Sequence, residues 1–112
     1  MNVPAFYWKL LAAEGLEPHL DACVRCGGAE PDVQLVAFDL DEGGVLCRSC
    51  RSGTSISPAA LTIMRDLLGG RLNAVLALHE SPATHEVGAL ATRAMEHHIE
   101  RRLKAVAMFE HH

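Results

Sequence analysis

Two cysteine pairs of identical spacing, Cys23-Val24-Arg25-Cys26 and Cys47-Arg48-Ser49-Cys50, stand twenty residues apart in the chain. In a CxxC turn both thiolates can face one ion, and two such turns brought together complete the tetrahedral sulfur shell that Zn²⁺ accepts without a geometric preference of its own. Gly27 and Gly28 follow the first pair, where the backbone must fold back toward sulfur through dihedrals that a side chain disfavours. The spacing predicts one zinc ion held by Cys23, Cys26, Cys47 and Cys50. The other uses of such thiols are a redox dithiol, an iron–sulfur cluster or no ligand at all. Four protein ligands leave no position open to water or substrate, so the predicted metal is structural and contributes folding free energy rather than chemistry.

No other constellation reads as catalytic. His79-Glu80 and His85-Glu86 each begin like a zinc-protease HExxH helix, but Ala83 and Ala89 occupy the fifth positions, so neither can place two imidazoles on one face. His97 and His98 are adjacent and cannot share a helix face in the i,i+4 manner that binds metal. They read as surface or edge-of-core residues, and His111 and His112 as a residual tag. Asp39, Asp41 and Glu42 lack the spaced acidic positions and final Glu of a calcium loop, which leaves a solvated turn. Phosphate-binding and nucleophile-elbow motifs are absent from the sequence.

A chain of 112 residues with 49% hydrophobic residues is the size of one domain with a real core. Its apolar runs fall short of the roughly 18 residues of a membrane span, and Met1 is not followed by a signal-type segment, which points to the cytoplasm and favours metal over disulfides for the thiols. The formal net charge is −4, and four thiolates around a dication add about −2 more. This is not the balance of an autonomous nucleic-acid binder; contact with DNA would need a local patch of Arg and Lys.

The elements that must position the cysteines follow from pattern and punctuation. Residues 5–14 carry Phe6, Leu10, Leu11 and Ala13 near helical spacing, Gly15 is a plausible stop, and Phe6, Tyr7 and Trp8 read as core anchors. Pro18 then turns the chain toward the first pair. Val33 to Leu40, the turn-like Asp41-Glu42-Gly43-Gly44, and Val45-Leu46 predict a β-hairpin whose second strand returns Cys47 beside Cys23. Ser52 to Ser55 reads as a polar loop. Ser57-Pro58 is an N-cap followed by proline at N1, opening a helix to Leu68 that Gly69 and Gly70 stop. A shorter helix is predicted over 71–78, and a long one over about 84–109. In the long helix Val87, Ala91, Met95, Ile99, Leu103 and Val106 share a side that predicts a core-facing surface, with Glu86, Arg93, Glu100 and Lys104 opposite. Glu100 and Lys104 form an i,i+4 pair, and Arg102 projects within the apolar side. The predicted fold class is therefore mainly α: one helical bundle domain over residues 1–112, with a four-cysteine, zinc-ribbon-like β-hairpin module inserted at about 19–53.

Four segments in order, FYWKLLAAEGLEPHLDACVRCGG, LVAFDLDEGGVLCRSCR, ISPAALTIMRDLL and MEHHIERRLKAVAMF, resemble the C-terminal half of the RecO family of bacterial DNA repair and recombination-mediator proteins. The resemblance runs from Phe6 to Phe109. It implies a helical domain interrupted by a zinc module, with the four cysteines as ligands, in a non-enzymatic protein that helps load a RecA-type recombinase onto single-stranded DNA and anneals complementary strands. The family has an N-terminal OB-fold; nothing here resembles its strand-rich pattern, so a fragment or shortened relative lacking part of the DNA-binding surface is expected.

The resemblance further implies partners: the acidic, apolar-ended tail of single-stranded DNA-binding protein, a RecR-type protein that would need the OB-fold, and DNA, weakly. For the tail, Arg101, Arg102 and Lys104 on the long helix are the candidate contacts, with Arg102 beside Ile99 and Val106. Two readings compete. One is a stand-alone zinc-ribbon DNA-binding module using Arg25, Arg48 and Arg51; the other is a thiol oxidoreductase using the first cysteine pair, for which the thioredoxin-like βαβ context is missing.

Overall fold

Helix α1 spans Asn2–Ala13 in the computed structural model, which describes residues 2–110; the tag expectation for His111 and His112 lies outside them. Gly15 sets the end of α1. It stands at φ 81°, and the amides of Gly15 and Leu16 donate to the carbonyls of Ala12 and Leu11 at 3.1 and 2.8 Å. These are the paired bonds of a Schellman ending, where a left-handed glycine costs little. The buried face of α1 is Ala5, Trp8 and Leu11. The expected apolar stripe is corrected here: Phe6 is 62% exposed and Leu10 lies at the surface. One helix face can meet the core, and Trp8 takes it, packing edge-on against Phe38 with ring centroids 6.1 Å apart.

Strands β1 (Leu35–Asp39) and β2 (Gly44–Cys47) form the predicted hairpin, antiparallel in register Leu35↔Cys47 to Asp39↔Gly44, with a bulge between Leu35 and Ala37. Gly43 takes the positive φ of the turn, at 71°. Gly44 has a different reason to be glycine: a Cβ there would sit 2.5 Å from Val24 Cγ1 and 2.8 Å from the His19 carbonyl oxygen. That contact exists because residues 19–24 run along the outer side of β2. Gly43 accepts from the His19 amide, His19 from the Val45 amide and Val45 from the Val24 amide, at 2.9, 2.9 and 3.0 Å. All four residues of β2 are buried. On the other side of β1 lies β3 (Thr54–Ser55), giving the order β2-β1-β3. The loop expected at 52–55 is thus partly a strand; two polar residues carry no β pattern that could announce it.

Helix α2 (Pro58–Leu68) begins at the expected cap, with the Ser57 side chain accepting from the Ala60 amide at 3.2 Å. Helix α3 is only Leu72–Leu76, shorter than expected, and α4 runs Pro82–Glu110. The start of α4 repeats the solution used at Ser57-Pro58: Pro82 opens the helix, the Thr84 amide donates to Ser81 Oγ at 3.2 Å, and the Ser81 amide to Thr84 Oγ1 at 2.8 Å. Glu86 ties the two helix starts together, its Oε2 accepting from the Ser57 hydroxyl and amide at 2.5 and 3.2 Å.

A single apolar cluster joins the helices to the hairpin, including Trp8, Leu11, Phe38, Val45, Leu46, Met64, Leu67 and Val87. The expectation of a core-facing α4 holds only for its first half. Val87, Leu90 and Ala91 are buried, whereas Ile99, Leu103 and Val106 are 49, 65 and 52% exposed. The cause is length. Helix α1 lies parallel to α4, with Pro4 against Gly88 and Glu14 against His98 and Arg102. At 1.5 Å per residue α1 is about 18 Å long and α4 about 44 Å, so α1 ends where α4 has one third of its length still to run.

Candidate metal centre and adjoining cleft

The hairpin register brings the four cysteines together. Cys47 ends β2, which is locked to residues 19–24, and Cys23 closes that segment, so one knuckle is placed against the other by backbone hydrogen bonds. The sulfurs of Cys23, Cys26, Cys47 and Cys50 all lie within 4.8 Å of one another, and Cys26 Sγ is 3.7 Å from Cys47 Sγ. A tetrahedral ion with metal–sulfur distances of about 2.3 Å requires sulfur–sulfur separations of about 3.8 Å. The cluster fits such an ion, and no disulfide forms among the four. Gly27, at φ 78°, turns the backbone so that the Gly28 amide points at Cys26 Sγ from 3.4 Å. A Cβ at Gly28 would sit 2.9 Å from Val33 Cγ2, which accounts for the second glycine by space alone.

The electrostatics of Cys23, Cys26 and Cys50 are uneven. Burial pushes the Cys23 thiol up, but backbone amides of Cys26, Cys47 and Arg25 outweigh it and bring the pKa from 9.0 down to about 6. Cys50 is pushed up to about 12, first by the Cys47 thiol, then by burial and the remaining sulfurs. At Cys26 the Gly28 amide favours ionisation, yet the thiols of Cys23 and Cys47 outweigh it and the net shift is upward. A cation among the sulfurs would favour the thiolate forms of Cys26 and Cys50, which their sulfur neighbours disfavour. Arrangement and charge together make this a site able to hold a metal ion.

The arginines around the cysteines are largely committed. Arg25 donates through Nη1 to the Cys50 carbonyl at 2.9 Å and through Nε to Glu42 Oε1 at 3.1 Å, with Nη2 3.5 Å from Asp39 Oδ2. Arg48 donates to Gln34 Oε1 at 2.9 Å, while Arg51 is exposed. Asp39 is therefore not part of a merely solvated turn. Its Oδ1 accepts from the amides of Asp41 and Glu42 at 2.8 and 3.0 Å, and its Oδ2 from the Ser52 hydroxyl at 3.2 Å. Sequence reasoning named Arg25 as a candidate DNA contact and Asp39 as part of a solvated turn but missed their link; an arginine inside a CxxC and an acid fourteen residues away show no local spacing that joins them.

Between the end of α1, the hairpin turn and α4 opens a cleft of about 550 Å³, with Trp8, Leu11, Phe38 and Leu40 in its lining and Arg101 and Arg102 among its borders. Arg102 Nη1 is paired with Glu14 Oε2 at 3.2 Å, and the same oxygen lies 2.8 Å from His98 Nε2. Lys104 is not at the cleft; it pairs with Glu100 at 3.3 Å. The expected apolar neighbours of Arg102 form no groove, because Ile99 and Val106 lie on the unpacked part of α4; the apolar surface near Arg102 is supplied by α1 and β1 instead. Trp8 Nε1 and His97 Nε2 are buried without a hydrogen-bond partner among the described residues. His97 Nε2 is 3.2 Å from Asp41 Oδ1, close enough for attraction but misaligned for a hydrogen bond. A second recess, of about 1020 Å³, runs along residues 17–24, but its Arg65 is spent on the Leu20 carbonyl, at 2.8 and 3.2 Å, and on Glu30 at 3.1 Å.

Fold and site together define a mainly helical domain carrying an inserted four-cysteine, β-hairpin metal module. The chain matches the family described as Recombination protein O C terminal over residues 2–107, and it belongs to that family. Proteins named DNA repair protein RecO are similar to it: that of Frankia casuarinae is 35% identical over 108 residues, covering 95% of this chain and 43% of the relative. The relative from Anaeromyxobacter dehalogenans (strain 2CP-C) is 40% identical over 113 residues, covering 90% and 41%, and that from Thermobifida fusca 31% over 108 residues, covering 95% and 43%. The chain thus spans about two fifths of the length of these curated relatives. No solved structure matches it. Among the described residues no helix is long and apolar enough to cross a membrane.

Proposed function

We propose that the chain serves as the helical, metal-binding part of a recombination mediator: a non-enzymatic protein that supports loading of a RecA-type recombinase on single-stranded DNA, and strand annealing, through protein and DNA contacts. The observation that carries this reading is the family match, which extends over residues 2–107 and so takes in nearly every described element. The metal is zinc, because an all-thiolate tetrahedral shell suits it and leaves no open position. Its role is to hold the hairpin to residues 19–28. Elemental analysis tests the ion: one zinc per chain is expected, and less than about half an equivalent in carefully prepared protein removes it.

The working surface is the cleft beside α4. The acidic, apolar-ended tail of single-stranded DNA-binding protein needs an apolar floor and cations at its edge; Trp8, Leu11, Phe38 and Leu40 supply the first, Arg101 and Arg102 the second. Because Glu14 already holds Arg102, the tail displaces an existing pair there. A labelled tail peptide titrated against the wild type, Arg101→Ala and Arg102→Ala, with circular dichroism as the folding control, tests this surface. Loss of a charge-assisted bond should weaken binding by about tenfold. Equal affinity in both folded variants removes the arginines from the site, and no binding by the wild type removes the site from this chain.

Contact with DNA is weak in this reading, since the net charge is −4 and Arg25 and Arg48 are engaged within the protein. The RecR-type partner is assigned to a surface that includes the OB-fold. Sub-micromolar binding of single-stranded DNA by this chain in physiological salt, abolished at Arg51, would favour the zinc-ribbon DNA-binding module instead.

A further inference from the structure

The loop inside the first CxxC could carry any two residues that let the turn close, yet Arg25 reaches out of it to both other parts of the module. Through Nη1 it holds the carbonyl of Cys50, the last ligand of the second knuckle, at 2.9 Å. Through Nε it holds Glu42 in the hairpin turn, at 3.1 Å, and Nη2 faces Asp39 at the end of β1 from 3.5 Å. Asp39 extends the connection to Ser52, two residues beyond Cys50. The three nitrogens of one guanidinium thus join the first knuckle, the second knuckle and the turn between them. Only the planar fork of arginine can meet such divergent acceptors at once; a lysine ammonium is a single point of charge. Arg48 lies in the same interval of the second pair, but among the described residues its side chain bonds Gln34 alone, so the clasp belongs to one knuckle and not to arginine in a knuckle generally.

We infer that Arg25 is the positioning residue that retains the metal, closing the second knuckle over the ion by holding the Cys50 backbone and offsetting the charge of the four-thiolate shell. This rests on the metal reading above. A ligand's backbone must swing away before its sulfur can leave the ion, and the Cys50 carbonyl cannot move outward without breaking its bond to Arg25. Outer-shell partners of metal ligands are worth about tenfold or more in metal affinity. The side chain is 41% exposed, so salt screens the charge contribution but leaves the carbonyl bond.

The test is metal transfer, not activity. The whole chain is loaded with Co²⁺, whose absorption reports tetrahedral thiolate ligation, and transfer to a chromophoric chelator is timed. Arg25→Ala should release cobalt about tenfold faster than wild type, with an unchanged spectrum when fully loaded. Arg25→Lys should lie nearer to Ala than to wild type, and Arg48→Ala should match wild type within about twofold. Asp39→Asn should accelerate release in the wild type and much less in Arg25→Ala, since it acts through the same guanidinium. If Arg25→Ala does not fold, Arg25→Gln is timed in its place. Release by the Arg25 variants within twofold of wild type, or an equal acceleration by Arg48→Ala, overturns the inference while leaving the metal site standing. A wild-type chain that takes up neither cobalt nor zinc overturns both.

Discussion

The cysteine module and the helical layer share one apolar cluster but are held in different ways. In the helical layer, position along the helix decides everything: Val87 and Ala91 are buried because α1 and α2 lie over them, and Leu103 and Val106 are exposed because nothing does. In the module, apolar residues contribute Leu35, Phe38, Val45 and Leu46, but the two knuckles are joined to the rest by backbone bonds, the four sulfurs and the Arg25–Asp39 contacts. The layer therefore tolerates an unfinished end, whereas the module depends on a small number of polar and metal-binding groups, each of which has no substitute nearby.

The most damaging break of that comparison is Cys47→Ser. Metal should fall from about one equivalent to near none, and hydrogen exchange should accelerate over residues 19–28 and 35–47 while the amides of α2 and the first half of α4 keep much of their protection. Equal loss of protection in both regions would show that the module is not a separable unit. Next in size is Val87→Ala, in the helical layer. Val87 is fully buried, so removing its two methyl groups should cost about 2 kcal/mol in denaturant unfolding. Val106→Ala, the same substitution in the same helix, should change stability by less than about 0.5 kcal/mol.

How much was legible beforehand follows the same division. The ligand set could be read because a CxxC turn is a local object, and the hairpin could be read because alternation and a diglycine turn are local as well. Ser57-Pro58 announced α2, and Ser81-Pro82 announced α4 in the same terms although the expected start was placed at Thr84. What could not be read was length matching. A stripe such as Val87, Ala91, Met95, Ile99, Leu103 and Val106 records that a helix is amphipathic, not how far its partner reaches. Likewise Phe6 and Trp8 are equally good anchors on composition; which one meets Phe38 depends on the rotation of α1 against a strand far along the chain. The pairing of Arg25 with Asp39 was invisible for a third reason: the hairpin fold makes it, and neither residue type is unusual where it stands.

Asp39 sharpens the comparison with the smallest effect. The amide of Glu42 is the main cause that holds its carboxyl below the usual range; burial opposes, and the Asp41 amide, the Ser52 hydroxyl and Arg25 assist. A folded-state pKa below the unfolded one means that the stabilisation is fully present above the unfolded value of about 3.9 and is lost as pH falls through the folded value. Asp39→Asn should thus be less stable than wild type at neutral pH, with the gap closing in acid. A gap that stays constant with pH would assign the loss to shape and not to charge.

The parallel course of α1 and α4 has an electrostatic consequence. Each helix carries about half a positive charge at its start and half a negative charge at its end, and a neighbour that runs the same way brings no opposite end to cancel them. Glu14 adds a full negative charge at the end of α1, where an isolated helix would be weakened by it. Arg102, reaching across from α4 to the carboxylate at 3.2 Å, returns opposite charge to that point, and His98 Nε2 lies 2.8 Å from the same oxygen. The end of α1, which Gly15 terminates, is in this way met by opposite charge from the helix it lies against, about two thirds of the way along α4.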